Sequence, residues 1–428
     1  MENNALLAVV IFVAAYTLIV SEKVHRTVVA LTGAVAMILL GILNQETAIH
    51  HIDFNTIGLL IGMMIVVNIT SETGLFNYLA IWSAKKVKGE PIRILVVLSL
   101  LTAICSAFLD NVTTVLLTVP VTFSITSQLK VNPKPFLIAQ ILAANIGGAA
   151  TLIGDPPNIM IGSAVKELDF LSFIVNLGIV CSVILVVTLF LLMMIYRKDL
   201  HTTEELQAKV MRLNEKSQIS NPVLLKKCLF VLAITITLFA LHSQLHLETA
   251  TAALTGASIL MAITIARDEG LLAKVFSKVE WLAIFFFAGL FILVGALVET
   301  GVISMLAGKA MQVTNGDVSA TAMLILWMSA IASAFIDNIP FVATMIPLIK
   351  EMSAMGLSNL EPLWWSLSLG ACLGGNGTLI GASANVVVAS MAAQRGHQLS
   401  FMKYLFIGFP MMIISIIISS IYIYFWHL

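Results

Sequence analysis

Charge is what this sequence has least of. Asp, Glu, Lys and Arg make up 11% of its 428 residues, where an ordinary soluble domain carries about 25%. With 59% hydrophobic residues and a mean hydropathy of +1.01, the shortage excludes a water-soluble globular protein. Cysteine is almost as scarce: Cys105, Cys181, Cys228 and Cys372 lie far apart with no CxxC spacing, which argues against a metal cluster or disulfide framework. There is no HExxH and no GxSxG, and no His–Cys pair accompanies the acids of the apolar segments. His242 and His246 have helical spacing but fall in a loop, so no enzyme, resident metal or cofactor is expected. Nothing points to a nucleic-acid partner, and the lipid bilayer is the partner that composition implies.

Apolar runs are abundant, and several approach the roughly 20 residues that a helix needs to cross a bilayer. Spans fall near residues 5–20, 27–43, 54–73, 136–165 and 171–196, then near 229–241, 249–266, 281–298, 363–393 and 404–426. Of these, 136–165 and 363–393 are interrupted. Ala5 to Val20 reads as the first span rather than a cleaved signal. Two further apolar pairs, 93–127 and 319–349, read as hairpins that return to the side they left.

The sequence also repeats itself. Shifted by 227 residues, Asp110-Asn111 falls on Asp337-Asn338, Gly147-Gly148 on Gly374-Gly375, and Thr151 on Thr378. The same shift pairs Gly62 with Gly289, Glu72-Thr73-Gly74 with Glu299-Thr300-Gly301, and Asn158 with Asn385. Nearer the start, Ala30 to Ala34 recurs as Ala253 to Ala257 at a shift of 223. The expected fold is an all-α polytopic membrane protein of two five-span repeats, 1–196 and 229–428, each with a re-entrant hairpin and a broken helix. The polar segment 197–228 reads as a cytoplasmic linker. Five crossings is an odd number, so the second copy runs opposite to the first.

Basic residues test that inversion, because they concentrate in cytoplasmic loops. With both termini outside, 20 of the 23 lysines and arginines, Arg26 and Arg267 among them, fall on the cytoplasmic side. Only Lys166, Lys309 and Lys350 fall outside. The expected location is the cell membrane.

Acids inside apolar segments are costly enough to mark function. Asp110 and Asp337 stand at the two hairpin turns and Asp155 at an interruption. Capping of the following arm would explain a single Asp-Asn turn, but its recurrence at equivalent places points to a site. Around Asn145-Ile146-Gly147-Gly148 and Asp155-Pro156-Pro157-Asn158, glycines permit unusual angles and prolines remove helical hydrogen bonds, so a helix breaks. Its freed backbone suits an ion. The second copy has Asn376, Thr378, Ser383 and Asn385, with Ala382 in place of Asp155. The candidate ligands are Asp110, Asn111, Thr113, Asn145, Thr151, Asp155, Asn158, Asp337, Asn338, Asn376, Thr378, Ser383 and Asn385. Asp110, Asp337 and Asp155 are the expected groups for proton or sodium coupling.

The stretches Phe108 to Leu117, Asn145 to Asn158, Ile336 to Pro347 and Leu373 to Val387 resemble the pink-eyed dilution (P) protein branch of the arsenite-pump and sodium/proton-antiporter group. Gly408-Phe409-Pro410-Met411-Met412 resembles it too. The resemblance implies an ion transporter superfamily scaffold around two opposed hairpins and two broken helices, with a homodimer by analogy. It also implies a small ion or oxyanion as cargo, arsenite or antimonite efflux first, sodium/proton antiport second and an anion channel or carrier third. The Ser-Asn-Thr turn of dicarboxylate carriers is replaced here by Asp-Asn-Val-Thr and Asp-Asn-Ile-Pro, which argues against a dicarboxylate.

Overall fold

The computed structural model describes residues 2–21, 23–265 and 268–428, so Arg267 lies outside the described residues. The first half begins with α1 (Glu2–Ser21), α2 (Arg26–Leu39), α3 (Gln45–His50), α4 (Phe54–Ser71) and α5 (Leu75–Lys86). A helical hairpin follows, α6 (Pro91–Phe108) and α7 (Asn111–Leu129), then the broken pair α8 (Lys134–Ala149) and α9 (Pro156–Ala164), and α10 (Phe170–Tyr196). After α11 (Glu204–Met211) in the connection, the second half opens with α12 (Pro222–Leu241), α13 (Thr249–Thr264), α14 (Glu269–Ser277), α15 (Trp281–Glu299) and α16 (Val302–Thr314). It closes with the hairpin α17 (Val318–Phe335) and α18 (Asn338–Ala354), the broken pair α19 (Glu361–Gly374) and α20 (Ser383–Gln394), and α21 (Phe401–Trp426).

Each helix from α1 to α10 thus answers one from α12 to α21. Among the described residues, nine helices are long and apolar enough to cross a membrane, while α2 and α13 are shorter apolar helices. One boundary differs from expectation. The connection ends before Pro222 rather than at residue 228, because Asn221 caps α12 and Pro222 occupies its first turn, where proline's missing N–H costs nothing. Lys226 and Lys227 therefore belong to α12.

The first four helices of each half interlock into one scaffold: α2 packs on α15 and α4 on α13, so both contacts cross between the repeats. Glycine makes the approach possible. A Cβ on Gly62 would stand 2.7 Å from the Ala253 backbone, and one on Gly289 would stand 2.7 Å from the Ala30 backbone. The two echoes of the sequence, at shifts of 227 and 223, are therefore the two sides of one contact made twice.

The hairpins enter from opposite ends. Near the base of α6 and α7, Thr202 in the connection donates to the Leu129 carbonyl (2.8 Å), and Lys85 pairs with Glu215 (2.6 Å). The base of α17 and α18 lies at the other end, where Ser304 donates to Glu351 (2.8 Å). Polar contacts staple the two ends of the scaffold: Glu72 pairs with Lys274 (2.7 Å) and Lys278, while its echo Glu299 is hydrogen-bonded to His51 (3.0 Å).

Candidate functional site

Small residues bring each broken helix onto its own hairpin. A Cβ on Gly147 would run into Ala103, and one on its echo Gly374 would run into Ala330, so these two glycines serve close packing. Gly148 and Gly154 instead face each other across the first break, as Gly375 and Gly381 do across the second. Hydroxyls then fix the hairpins to the breaks. Ser106 donates to the Ala144 carbonyl (2.7 Å) and Ser333 to that of Ala371 (2.6 Å). Thr151 donates to Ala107, and Thr378 to Ala334 (2.5 Å). Thr151 and Thr378, two of the candidate ligands, therefore spend their hydroxyls holding the hairpin tips in place.

Four helix N-termini converge on one cavity where the tips meet the breaks: those of α7, α9, α18 and α20, whose first residues Asn111, Pro156, Asn338 and Ser383 all line it. Each carries about half a positive charge from its unpaired N–H groups. Asp110 caps α7 by accepting from the Thr113 N–H (2.8 Å), and Asp337 caps α18 by accepting from that of Ile339 (3.1 Å). Asp155 differs. It stands at the N-terminus of α9 but makes no capping bond, and both its oxygens accept from Asn338 Nδ2 at 3.3 Å. The N-terminus of α20 has Ala382 at that place and no side-chain cap.

Two unlike environments result. Beside the first tip is a neutral amide cluster: Asn111 donates to Asn145 (3.2 Å), which donates to Asn376 and Asn385 (3.0 Å each). Asn376 Nδ2 is buried without a partner among the described residues. Asn385 also donates to the carbonyls of Gly375 (2.7 Å) and Thr378 (2.9 Å), tying off the second break. Its echo Asn158 does the same to Ala149 (3.1 Å) and Thr151 (2.9 Å). Beside the second tip the cluster is acidic: Asp155 and Asn338 lie next to Asn158, whose oxygen accepts from Ser368 (2.5 Å) and from the Cys372 thiol (3.6 Å).

Between the clusters lies a cavity of about 30 Å³, lined by Asp110, Asn111, Asp155, Asn338 and Ser383 of the candidate ligands. A larger vestibule of about 300 Å³ beside the α1–α2 turn is lined by Asp337 and Ser383. Asn145, Asn158, Asn376 and Asn385 are not among the residues that line the central cavity, and Asn145, Asn376 and Asn385 reach it only through the hydrogen bonds above. Thr113 contributes its backbone N–H to the Asp110 cap.

Two site residues escaped the sequence reading. Arg26, expected only as a topology determinant, reaches Asp337 Oδ2 (2.5 Å) and Ser383 Oγ (2.8 Å). Glu280 lines the central cavity. Its echo at 227 is Asp53, which accepts from the Ser163 hydroxyl (2.9 Å) at the opposite end. That repeated acid before a span was the available signal. Arg26 had none, since its echo at 223 is Thr249.

Comparison with known proteins bears on the family and the fold. The family described as "Citrate transporter" matches residues 16–370. An uncharacterized transporter of Mycobacterium tuberculosis is 44% identical over 98% of both chains. The human P protein is 35% identical over 99% of this chain, which spans 60% of that protein's length. Among solved structures, the YdaH transporter of Alcanivorax borkumensis shares the fold with a TM-score of 0.58 at 13% identity, covering 99% of this chain and 98% of its own. MtrF of Neisseria gonorrhoeae aligns with a TM-score of 0.60 at 14% identity, over 92% and 84%. The resemblance to the P protein branch is thereby borne out, and the chain belongs to the citrate transporter family of the ion transporter superfamily, as a multi-pass membrane transporter.

Proposed function

We propose that this chain is a proton- or sodium-coupled secondary transporter that moves a small ion or oxyanion by alternating access. The observation that carries the reading is Asp155. It is 1% exposed, free of any capping duty, and placed on an ion-sized cavity where two hairpin tips and two helix breaks meet. A carboxylate so buried needs a proton or a cation for company. About 30 Å³ is the room of one water or one bare ion. Citrate, the cargo in the family's description, would need the scaffold and the hairpins to separate.

Arsenite or antimonite efflux is the first cargo on the family resemblance alone: the Cys372 thiol is buried against Asn158 and is not among the residues that line the cavity, so Cys372→Ser should leave arsenite transport intact. Sodium/proton antiport uses the same carboxylates. An anion carrier is favoured by the uncapped N-terminus of α20 and the nearby guanidinium of Arg26. With both termini outside the cytoplasm, the vestibule beside the α1–α2 turn opens inward. The assembly is a homodimer through the scaffold. The test is a proteoliposome panel of arsenite, sodium, chloride and citrate under imposed proton and sodium gradients. Flux of one cargo that rises with one gradient supports the reading, and flux indifferent to every gradient makes the chain a passive channel.

A further inference from the structure

Resting on that reading, we propose that Arg26 is a tethered cation that holds the second hairpin to the scaffold and leaves Asp337 when that carboxylate takes a driving ion or proton. Arg26 begins α2, a scaffold helix, whereas Asp337 and Ser383 belong to the hairpin and broken helix of the second half. Asp337 is engaged at both oxygens: Oδ1 accepts from the Ile339 N–H (3.1 Å), and Oδ2 accepts from Arg26 (2.5 Å) and from the Ser383 hydroxyl (2.8 Å). No cation binds Oδ2 until the guanidinium withdraws.

The arrangement suits exchange. The pair is partly open, with side chains 28% and 12% exposed, so water in the vestibule solvates the charges as they part. Arg26 lines both the vestibule and the central cavity and so stands in the neck between them. Its guanidinium carbon lies 5.0 Å from the centre of the Phe286 ring on α15, a scaffold resting place for the released cation. The other titratable groups lining these spaces are His25, Asp110, Asp155 and Glu280. Withdrawal of Arg26 leaves that predominantly acidic set to attract a cation.

The consequence is coupling. An empty transport unit stays paired to the scaffold, while a loaded one, its Asp337 occupied or protonated, is free to move. An exchanger needs this rule, because an empty carrier that reorients leaks the gradient. Arg26→Gln should therefore raise apparent affinity for the driving ion about tenfold, within the usual range of coupling between sites, and let that ion cross without cargo. Arg26→Lys keeps the charge but loses the planar fork, so its shift should be smaller and in the same direction.

The experiment has two arms. In chains purified as monodisperse protein, with native cysteines replaced by serine and Ile336→Cys as a reporter at the tip, maleimide labelling is timed with Arg26 and with Arg26→Gln. In liposomes, the half-saturating concentration of the driving ion is measured for the parent chain, Arg26→Gln, Arg26→Lys, Asp337→Asn and Arg26→Gln/Asp337→Asn. Faster labelling, a lower half-saturation, and no effect of Arg26→Gln once Asp337 is neutralised are expected. Labelling of Arg26→Gln at the parent's rate, or an unchanged half-saturation in both Arg26 variants, overturns the tether. Absence of gradient-driven flux in the parent chain overturns the transport reading itself and is told apart because the parent fails.

Discussion

The two hairpin tips carry the same Asp-Asn pair yet meet opposite surroundings. At the first, Asn111 faces the amides of Asn145, Asn376 and Asn385; at the second, Asn338 faces the carboxylate of Asp155. Three exchanges between the repeats produce the contrast: Asn145 is echoed by Cys372, Ala149 by Asn376, and Asp155 by Ala382. The scaffold crossings, the Thr and Ser clamps and the Asn158 and Asn385 ties are kept in both copies. Duplication supplies the frame, and divergence at the centre assigns different work to its two sides.

The contrast breaks most completely if Asp155 is neutralised. Asp155→Asn should fold, since the residue caps nothing, and should abolish gradient-driven flux in proteoliposomes. Asp337→Asn and Asp110→Asn come next. Asparagine caps as well as aspartate, so both proteins should remain folded by melting and gel filtration. Asp337→Asn should cost more driven flux, because it also releases Arg26. Wild-type flux from both would make these aspartates caps alone.

The shared frame predicts equal, not contrasting, effects. Gly62→Val and Gly289→Val each force side-chain atoms into the opposing backbone, and each should lower stability by about 1–3 kcal/mol in detergent melts. A large inequality between them would show that the two crossings are not equivalent. Thr151→Val and Thr378→Val should cost less, about 1 kcal/mol apiece, with altered flux because the tips lose their fixed height.

The smallest effect concerns the connection. Its hydrogen bond to Lys85 holds the Glu215 carboxyl below the ordinary glutamate value of 4.5. A carboxyl whose value falls on folding stabilises above its unfolded value and ceases to do so as pH drops through the folded one. Proteolysis between residues 197 and 221 should therefore speed up modestly below pH 4.5 and be insensitive to pH between 6 and 8.

Much of this was legible in the sequence because a duplicated chain reports twice. Residues 93–127 and 319–349 became hairpins, 136–165 and 363–393 became broken helices, and Asp155 against Ala382 already marked unequal environments. What stayed hidden depended on where side chains point. Thr151 and Thr378 read as ligands, but their direction is set by a hairpin carbonyl 44 residues away in each case. Arg26 read as a loop charge because its partner lies 311 residues along the chain. The early start of α12 was masked by Lys226 and Lys227, although Asn221-Pro222 carries the usual start signal.

The most direct test of the division between the two tips is flux driven by an imposed proton or sodium gradient, compared between the parent chain and Asp155→Asn in the same lipids. The account predicts driven flux in the parent and none in the variant, with both proteins equally folded. Gradient dependence retained by Asp155→Asn at the parent's level would contradict it.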